Sequence, residues 1–411
     1  MSAFSDFWLP PSASADSKRL LLTRALRGFA DGAVSVLLPG YLTALGFSSF
    51  QIAAIIFATL TGSAALTLWI GFAANRIGRR RVLLAACALM LATGAGFTLV
   101  TAFWPLFVVA FVGTLNPSAG DVSLFLPVEQ SALAETVKTR DLTAIFSRYN
   151  VAGAFAGALG ALASGLPALL AWRFNLDQAA ALRLGFVAYS LIAIAAALVY
   201  RRLTLAVETA PPAQAAAPLA KARRIVLHLS ALFSLDSFGG GFVVQSLLAL
   251  WLFRRFDMSI AAVGSFFFVA GLLGAASQLA SAWFAARIGR INTMVFTHIP
   301  ANVFMVMAAL MPNLHLTLLF LFLRFALSSM DVPARQSFVM AVVPPEERAA
   351  AASVTNVPRS LATALAPLPS GALLDYSTFG WPLVCAGLLK ITYDVLLLAQ
   401  FRSVRPADEA E

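Results

Sequence analysis

Gly71-Phe72-Ala73-Ala74-Asn75-Arg76-Ile77-Gly78-Arg79-Arg80-Arg81 lies between two apolar stretches, each long enough to cross a bilayer. A partial copy, Ala282-Trp283-Phe284-Ala285-Ala286-Arg287-Ile288-Gly289-Arg290, follows 211 positions later in the same kind of setting. Cations gathered in a short turn between apolar stretches belong at a membrane surface, and the repetition signals an internal duplication.

The rest of the chain agrees with a membrane setting. Its 411 residues are 60% hydrophobic and 12% charged, with a mean hydropathy of +0.83. That much apolar surface exceeds what water-soluble domains hide, so a polytopic membrane protein is expected. Windows of about 20 apolar residues begin near Leu20, Phe50, Val82, Trp104, Leu142, Leu184, Ile225, Ile260, Thr293, Leu316, Ala350 and Trp381, giving twelve spans. Pro39, Pro117, Pro127, Pro300, Pro333, Pro358 and Pro367 interrupt several of them. Membrane helices tolerate such breaks when neighbours satisfy the freed backbone groups.

Lys and Arg concentrate in alternate loops. With the N-terminus inside, the cytoplasmic segments hold eighteen of them, including Arg76, Arg79, Arg80, Arg81, Arg201, Arg202, Arg287 and Arg290, against Arg173, Arg183, Arg254 and Arg255 outside. This places both termini in the cytoplasm and accounts for most of the net charge of +10. Charge spread over short loops beside apolar spans argues against nucleic acid as a partner. Residues 1–19 read as a polar tail without the features of a signal peptide. Cys87 and Cys385 fall within spans, which leaves no disulfide framework and no Cys-x-x-Cys metal site. His228, His298 and His315 are dispersed, and no catalytic triad or His-Glu-x-x-His arrangement occurs. Neither an enzyme nor a cofactor is expected.

A second repeat supports the duplication. Glu129 to Gly165 aligns without a gap on Arg335 to Gly371 at an offset of 206, with about a third of positions identical, including the pairs Gln130/Gln336, Ser147/Ser353 and Asn150/Asn356. The expected organisation is two six-helix bundles, 20–203 and 225–401, joined by a linker at 204–224 and followed by a tail at 402–411.

The segment Gly71 to Arg81 resembles the loop between the second and third helices of the major facilitator superfamily. Its usual form there is Gly-x-Leu-Ala-Asp-Arg-x-Gly-Arg-Lys/Arg, with Asn75 here replacing the acid. Pro344-Pro345-Glu346-Glu347-Arg348 is similar to the turn that precedes helix 11 in that superfamily. The resemblance implies an all-α membrane protein of twelve transmembrane helices in two pseudo-symmetric bundles. It also implies a monomeric secondary active transporter, moving a small-molecule substrate by alternating access. Helices 1, 4, 7 and 10 would line a central cavity between the halves. Gly71, Asn75, Arg76, Gly78, Arg79 and Arg80, with Arg287, Gly289 and Arg290 in the copy, would form a conformational motif on the cytoplasmic side. Asn75 carries no charge, so state-locking through this loop is expected to be weak.

A charge within the bilayer costs from roughly 2.5 kcal/mol upward, so each one needs a reason. Asp31, Asp121, Asp236 and Asp331 all map to the cavity-lining helices and are the candidates for binding protons or substrate. Asp31 leads as proton carrier, against the alternative of an ion pair with Arg27 one turn away. Arg324 reads either as an anion contact or as a partner of Asp331, seven residues on. Glu129 with Arg148 is a gate pair or a static pair, while Arg335 and Arg359 lie nearer the cytoplasmic ends and join the gate candidates. Lys390 and Asp394, four apart, read as a structural salt bridge, and Gly239-Gly240-Gly241 as a flexing point or a close contact. Gly153, Gly157, Gly160 and Gly165 resemble the Gly-rich helix 5 of drug and proton antiporters, although Ala158 replaces its Pro. The expected activity is therefore proton-coupled efflux in a cell inner membrane. Proton-coupled uptake and a non-transporting receptor on the same scaffold are the alternatives.

Overall fold

The computed structural model describes residues 9–118, 123–208, 220, 222–344 and 347–402, and those residues contain helices and turns but no β-strand. The α-helices in chain order are α1 Ala15–Ala44, α2 Ser49–Ile77, α3 Arg79–Leu99, α4 Phe103–Val112, α5 Phe125–Ala134 and α6 Leu142–Ala163. They continue with α7 Leu166–Phe174, α8 Gln178–Tyr200, α9 Arg223–Gly241, α10 Gln245–Phe256, α11 Ile260–Ile288 and α12 Arg290–Leu310. The last five are α13 Leu314–Leu327, α14 Asp331–Val342, α15 Arg348–Leu365, α16 Pro367–Tyr376 and α17 Trp381–Phe401.

These helices make twelve passages, because α4 with α5, α6 with α7, α9 with α10, α13 with α14 and α15 with α16 are broken pairs. Every passage starts within two helical turns of the position expected from hydropathy. Nine passages among the described residues are long and apolar enough to cross a membrane on composition alone. The other three depart from that pattern for visible reasons. α1 carries Arg19, Arg24, Arg27 and Asp31, α4 and α5 are separate helices of ten residues each, and α15 carries Asn356 and Arg359.

Proline explains several breaks. Pro167 and Pro367 sit in the first turns of α7 and α16, where a missing N–H leaves no bond unmade. Pro358 lies inside α15 and cannot donate to the carbonyl of Val354. Ser230 of α9 donates its hydroxyl to that oxygen at 2.7 Å, so the bend is satisfied from a neighbouring helix.

The internal repeat is visible in the helix boundaries. α2 and α11 are both 29 residues long, α3 and α12 both 21, and each second copy starts 211 positions after the first. Gly78 (φ 94°) and Gly289 (φ 83°) precede α3 and α12 in a conformation that side chains disfavour. α6 and α15 begin 206 positions apart.

The chain forms two compact units. One holds the described parts of Met1–Phe47, Ala58–Pro212 and Ser259–Ser265; the other holds those of Ser48–Phe57, Ala213–Met258 and Phe266–Glu411. Each unit therefore includes the start of one helix that is otherwise assigned to the other. In the first, α1 lies against α6 with almost no side chain between them. A Cβ on Gly32 would come within 1.9 Å of the Gly157 carbonyl oxygen, and one on Gly160 within 1.9 Å of the Phe29 oxygen. Such backbone approach is how membrane helices gain packing energy where lipid removes the hydrophobic drive. The second unit is built on a core of Phe233, Met294, Phe338, Tyr393 and Leu397. Leu99, Trp172 and Leu279 stand among many exposed apolar side chains, as expected of faces turned to lipid.

Parts of the segment 204–224 are tied to the helices at its two ends. Leu205–Glu208 forms a 3₁₀ turn with Val207 fully buried, and Thr204 donates its hydroxyl to Asp16 at 2.5 Å. At the far end the backbone N–H groups of Ala220 and Ala222 donate to Glu347 at 3.2 and 3.0 Å.

Candidate functional site

In the first unit the polar centre is Glu129 of α5, which has no exposure. It pairs with Arg27 of α1 and accepts hydrogen bonds from Thr23 (2.9 Å), Tyr149 and Tyr200. Arg27 is thus committed to Glu129 rather than to Asp31. It also stacks 4.3 Å from the Phe125 ring. Arg148 is not the partner of Glu129 either, and one of its terminal nitrogens is buried without a hydrogen bond. Asp31 is buried and, among the described residues, accepts a hydrogen bond from the Asn116 amide at 3.5 Å. Gly28 and Gly32 flank it and hold α1 against α6. Asp121 lies outside the described residues.

The second unit contains a larger network, with Asp236 of α9 at its middle. Lys390 of α17 donates to its Oδ1 at 2.6 Å, and Arg335 of α14 to its Oδ2 at 3.1 Å. The same Arg335 nitrogen lies 3.3 Å from Asp331, four residues earlier on α14. His298 of α12 contacts Asp394 through Nδ1 at 2.9 Å, while its Nε2 lies 3.9 Å from Asp236. Asn302, one turn along α12, donates to Asp394 at 3.3 Å. The expected pair of Lys390 with Asp394 is not made, because each reaches inward to a different neighbouring helix. Gly239 and Gly240 make room for this. A Cβ on Gly239 would lie 3.1 Å from Lys390 Cγ, and the triplet ends α9 rather than bending it midway.

Arg324 does not join Asp331. The helix breaks between Leu327 and Asp331, which removes the shared face their spacing implied. The guanidinium instead lies 4.8 Å from the Phe325 ring with a buried, unpartnered Nε. Arg359 of α15 donates to Ser237 at 3.1 Å and to Asn356 at 3.2 Å, both neutral.

The repeated loop motif has two faces. Gly71, Asn75 and Arg76 are helical in α2, but their side chains lie outside the described residues. Gly78 caps α3, and the N–H groups of Arg79 and Arg80 donate to Glu208 at 2.7 and 2.9 Å, so a carboxylate closes the positive end of the helix. The Arg79 side chain donates to Val207 O (2.8 Å) and that of Arg80 to Arg201 O (2.6 Å). In the copy, Gly289 caps α12 ahead of Arg290, and the exposed Arg287 lies 3.9 Å from the Trp283 ring. His298, Asn302, Tyr149 and Tyr200 are the polar members that sequence reasoning did not single out. The i, i+4 spacing of His298 with Asn302 was the available signal.

A family model described as Major Facilitator Superfamily matches residues 20–367. The chain belongs to the major facilitator superfamily. An uncharacterized membrane protein of Saccharomyces cerevisiae is 26% identical over 426 residues, covering 95% of each chain. A mutant of the nucleoside transporter NupG is similar in structure, with a TM-score of 0.73 and 14% identity over 94% of this chain and 99% of that one. A D-xylose-proton symporter gives 0.70 and 14%, over 92% of this chain and 96% of that one. At such identities the structures establish the fold. This superfamily member is accordingly a multi-pass membrane transporter with the twelve-helix architecture.

Proposed function

We propose that the protein is a proton-coupled secondary transporter for a small organic solute, working by alternating access, with its proton site at His298. The supporting observation is the placing of that imidazole. Arg359 bonds to the neutral Ser237 and Asn356, and at ion-pair distance Asp236 and Asp331 meet Lys390 and Arg335. Asp394 meets only the His298 imidazole and the Asn302 amide among the described residues, so a proton on His298 gives Asp394 its own cation. Its bond to Asp394 keeps the proton on Nδ1, which leaves Nε2 to gain and lose the second proton beside Asp236. The groups around it are Asp236 from α9, Asn302 from α12, Asp331 and Arg335 from α14, Arg359 from α15, and Lys390, Tyr393 and Asp394 from α17. A buried pair such as Glu129 with Arg27 suits a fixed strut, whereas a cluster that includes an imidazole suits a site that changes protonation. Asp31 and Asp121 remain secondary proton candidates. The direction we propose is export in exchange for protons, on the glycine pattern of Gly153 to Gly165.

Proteoliposomes challenged with a panel of small amines, zwitterions and carboxylates under an imposed pH gradient test this. Gradient-driven flux is expected in the unaltered chain, and His298→Ala should lose the drive while keeping solute exchange. Flux indifferent to the gradient, or an undiminished drive in both His298→Ala and Asp394→Asn, would refute the proton site. Solute accumulating with protons rather than against them would reverse the direction.

A further inference from the structure

A cavity of about 330 Å³ opens beside this network, walled by α9, α14 and α15. Its polar lining is Arg335, Gln336, Thr355, Asn356 and Arg359, and Phe233, Val339 and Met340 supply an apolar wall. The two guanidiniums differ in kind. Arg335 already meets two carboxylates, Asp236 at 3.1 Å and Asp331 at 3.3 Å, so its charge is spent within the protein. Arg359 meets the Ser237 hydroxyl and the Asn356 amide oxygen, and no carboxylate lies within 4.0 Å of it among the described residues. Its Nη2 makes no hydrogen bond to the described residues.

Placing a guanidinium in a partly dry cavity with only neutral partners is costly, and an anion offsets that cost best through a two-pronged bond to the planar fork. One uncommitted cation calls for one negative charge. The apolar wall calls for a hydrophobic body behind it, and the volume falls at the small end of the range for ligand pockets. The geometry points to this cavity as the binding site for a small organic monocarboxylate, with its carboxylate on Arg359, its amide contacts from Asn356 and Gln336, and its body against Phe233. Arg359, which the sequence placed with the gate, is here a substrate contact.

The inference names the substrate class of the transporter proposed above and so rests on that reading, but binding is measurable without any gradient. The full-length protein in detergent is titrated with benzoate, its neutral isostere benzamide, decanoate and inorganic phosphate, read by ligand-induced thermal shift. Benzoate or decanoate is expected to stabilise in a saturable way, benzamide not at all, and phosphate more weakly than either. Asn356→Asp is the decisive variant, because it keeps the shape and places an internal carboxylate on Arg359. It should weaken carboxylate binding on the order of 10- to 100-fold, as should Arg359→Gln. Asn356→Asp binding carboxylates as tightly as the unaltered chain overturns the assignment. So does benzamide matching benzoate, phosphate binding most tightly, or no carboxylate in the series binding. If carboxylates bind as described while flux ignores the pH gradient, the proton site fails and the carboxylate site stands. If flux is gradient-driven while carboxylates bind no better than amides, the reverse holds.

Discussion

Glu129→Gln tests how the first unit is held together. Glu129 is 0% exposed and Arg27 1%, so neither charge has water to fall back on. Breaking a buried pair by neutralising one partner leaves the other uncompensated, at a cost of about 3–5 kcal/mol. The hydrogen bonds push the figure toward the upper end. One carboxylate oxygen accepts from Arg27 and Tyr149, the other from Thr23 and Tyr200. Whichever oxygen becomes the amide nitrogen of glutamine, its hydrogens then meet a group that was donating. Arg27→Met alone should also destabilise, by about 3 kcal/mol, since it strands the carboxylate. The double variant removes both charges and leaves a neutral amide among three hydroxyls that can rotate to suit it. It should cost only about 1–2 kcal/mol, less than either single change. Reversible unfolding of the four proteins in mixed micelles completes the cycle. Additive losses, with the double variant the least stable, would mean that the pair carries no mutual energy and that the strut is misread.

Smaller tests address the rest of the scaffold. Gly32→Leu should abolish monodisperse protein on size-exclusion chromatography, because even a Cβ would overlap the Gly157 carbonyl oxygen, whereas Gly46→Ala, with φ of +83° in open space, should cost only about 1 kcal/mol. Asp375 accepts from the N–H groups of Ser49 and Phe50 at 2.8 and 2.9 Å and lies 3.1 Å from Arg254, each about one-third exposed. Asp375→Ala should lower the melting temperature by the equivalent of about 1–2 kcal/mol through loss of the cap, and Asp375→Asn by less than about 1, since so exposed a pair contributes little. Ser230→Ala should cost about 1 kcal/mol by stranding the Val354 carbonyl, and the cost should vanish in a Pro358→Ala background, where the helix supplies its own donor.

Passages were legible because one physical quantity, the length of an apolar run, sets them almost alone. The duplication was legible from the repeated segments around Gly78 and Gly289, whose backbone conformation side chains disfavour. Partnerships between charges were a different matter. Periodicity says that Lys390 and Asp394 share a face, but not that α9 and α12 present Asp236 and His298 to that face. A bond across to another helix competes with the neighbour one turn away, and the buried site offers the stronger interaction. Arg324 and Asp331 failed for a local reason: spacing seven apart means two turns only if the helix continues, and it stops at Leu327. Arg27 with Asp31 shows the same competition, since the fully buried Glu129 outbid the nearer acid.

Glu129 and Arg335 occupy the same place in the repeat, 206 positions apart, yet carry opposite charges. Each is tied to the first helix of its own half by a residue of the complementary sign, Arg27 in one case and Asp236 in the other. Burial penalises both arrangements alike, so polarity by itself decides little; what surrounds the pair decides more. Three hydroxyls and the Arg27 guanidinium fill the acceptor positions of Glu129. Asp236 is instead met by Lys390 and Arg335 and lies near His298, which itself contacts Asp394, so the second network holds an imidazole where the first holds hydroxyls. Two copies of one design therefore differ in what completes the buried pair: hydroxyls close it in the first half, and further ionisable side chains extend it in the second, where the proposed proton site lies.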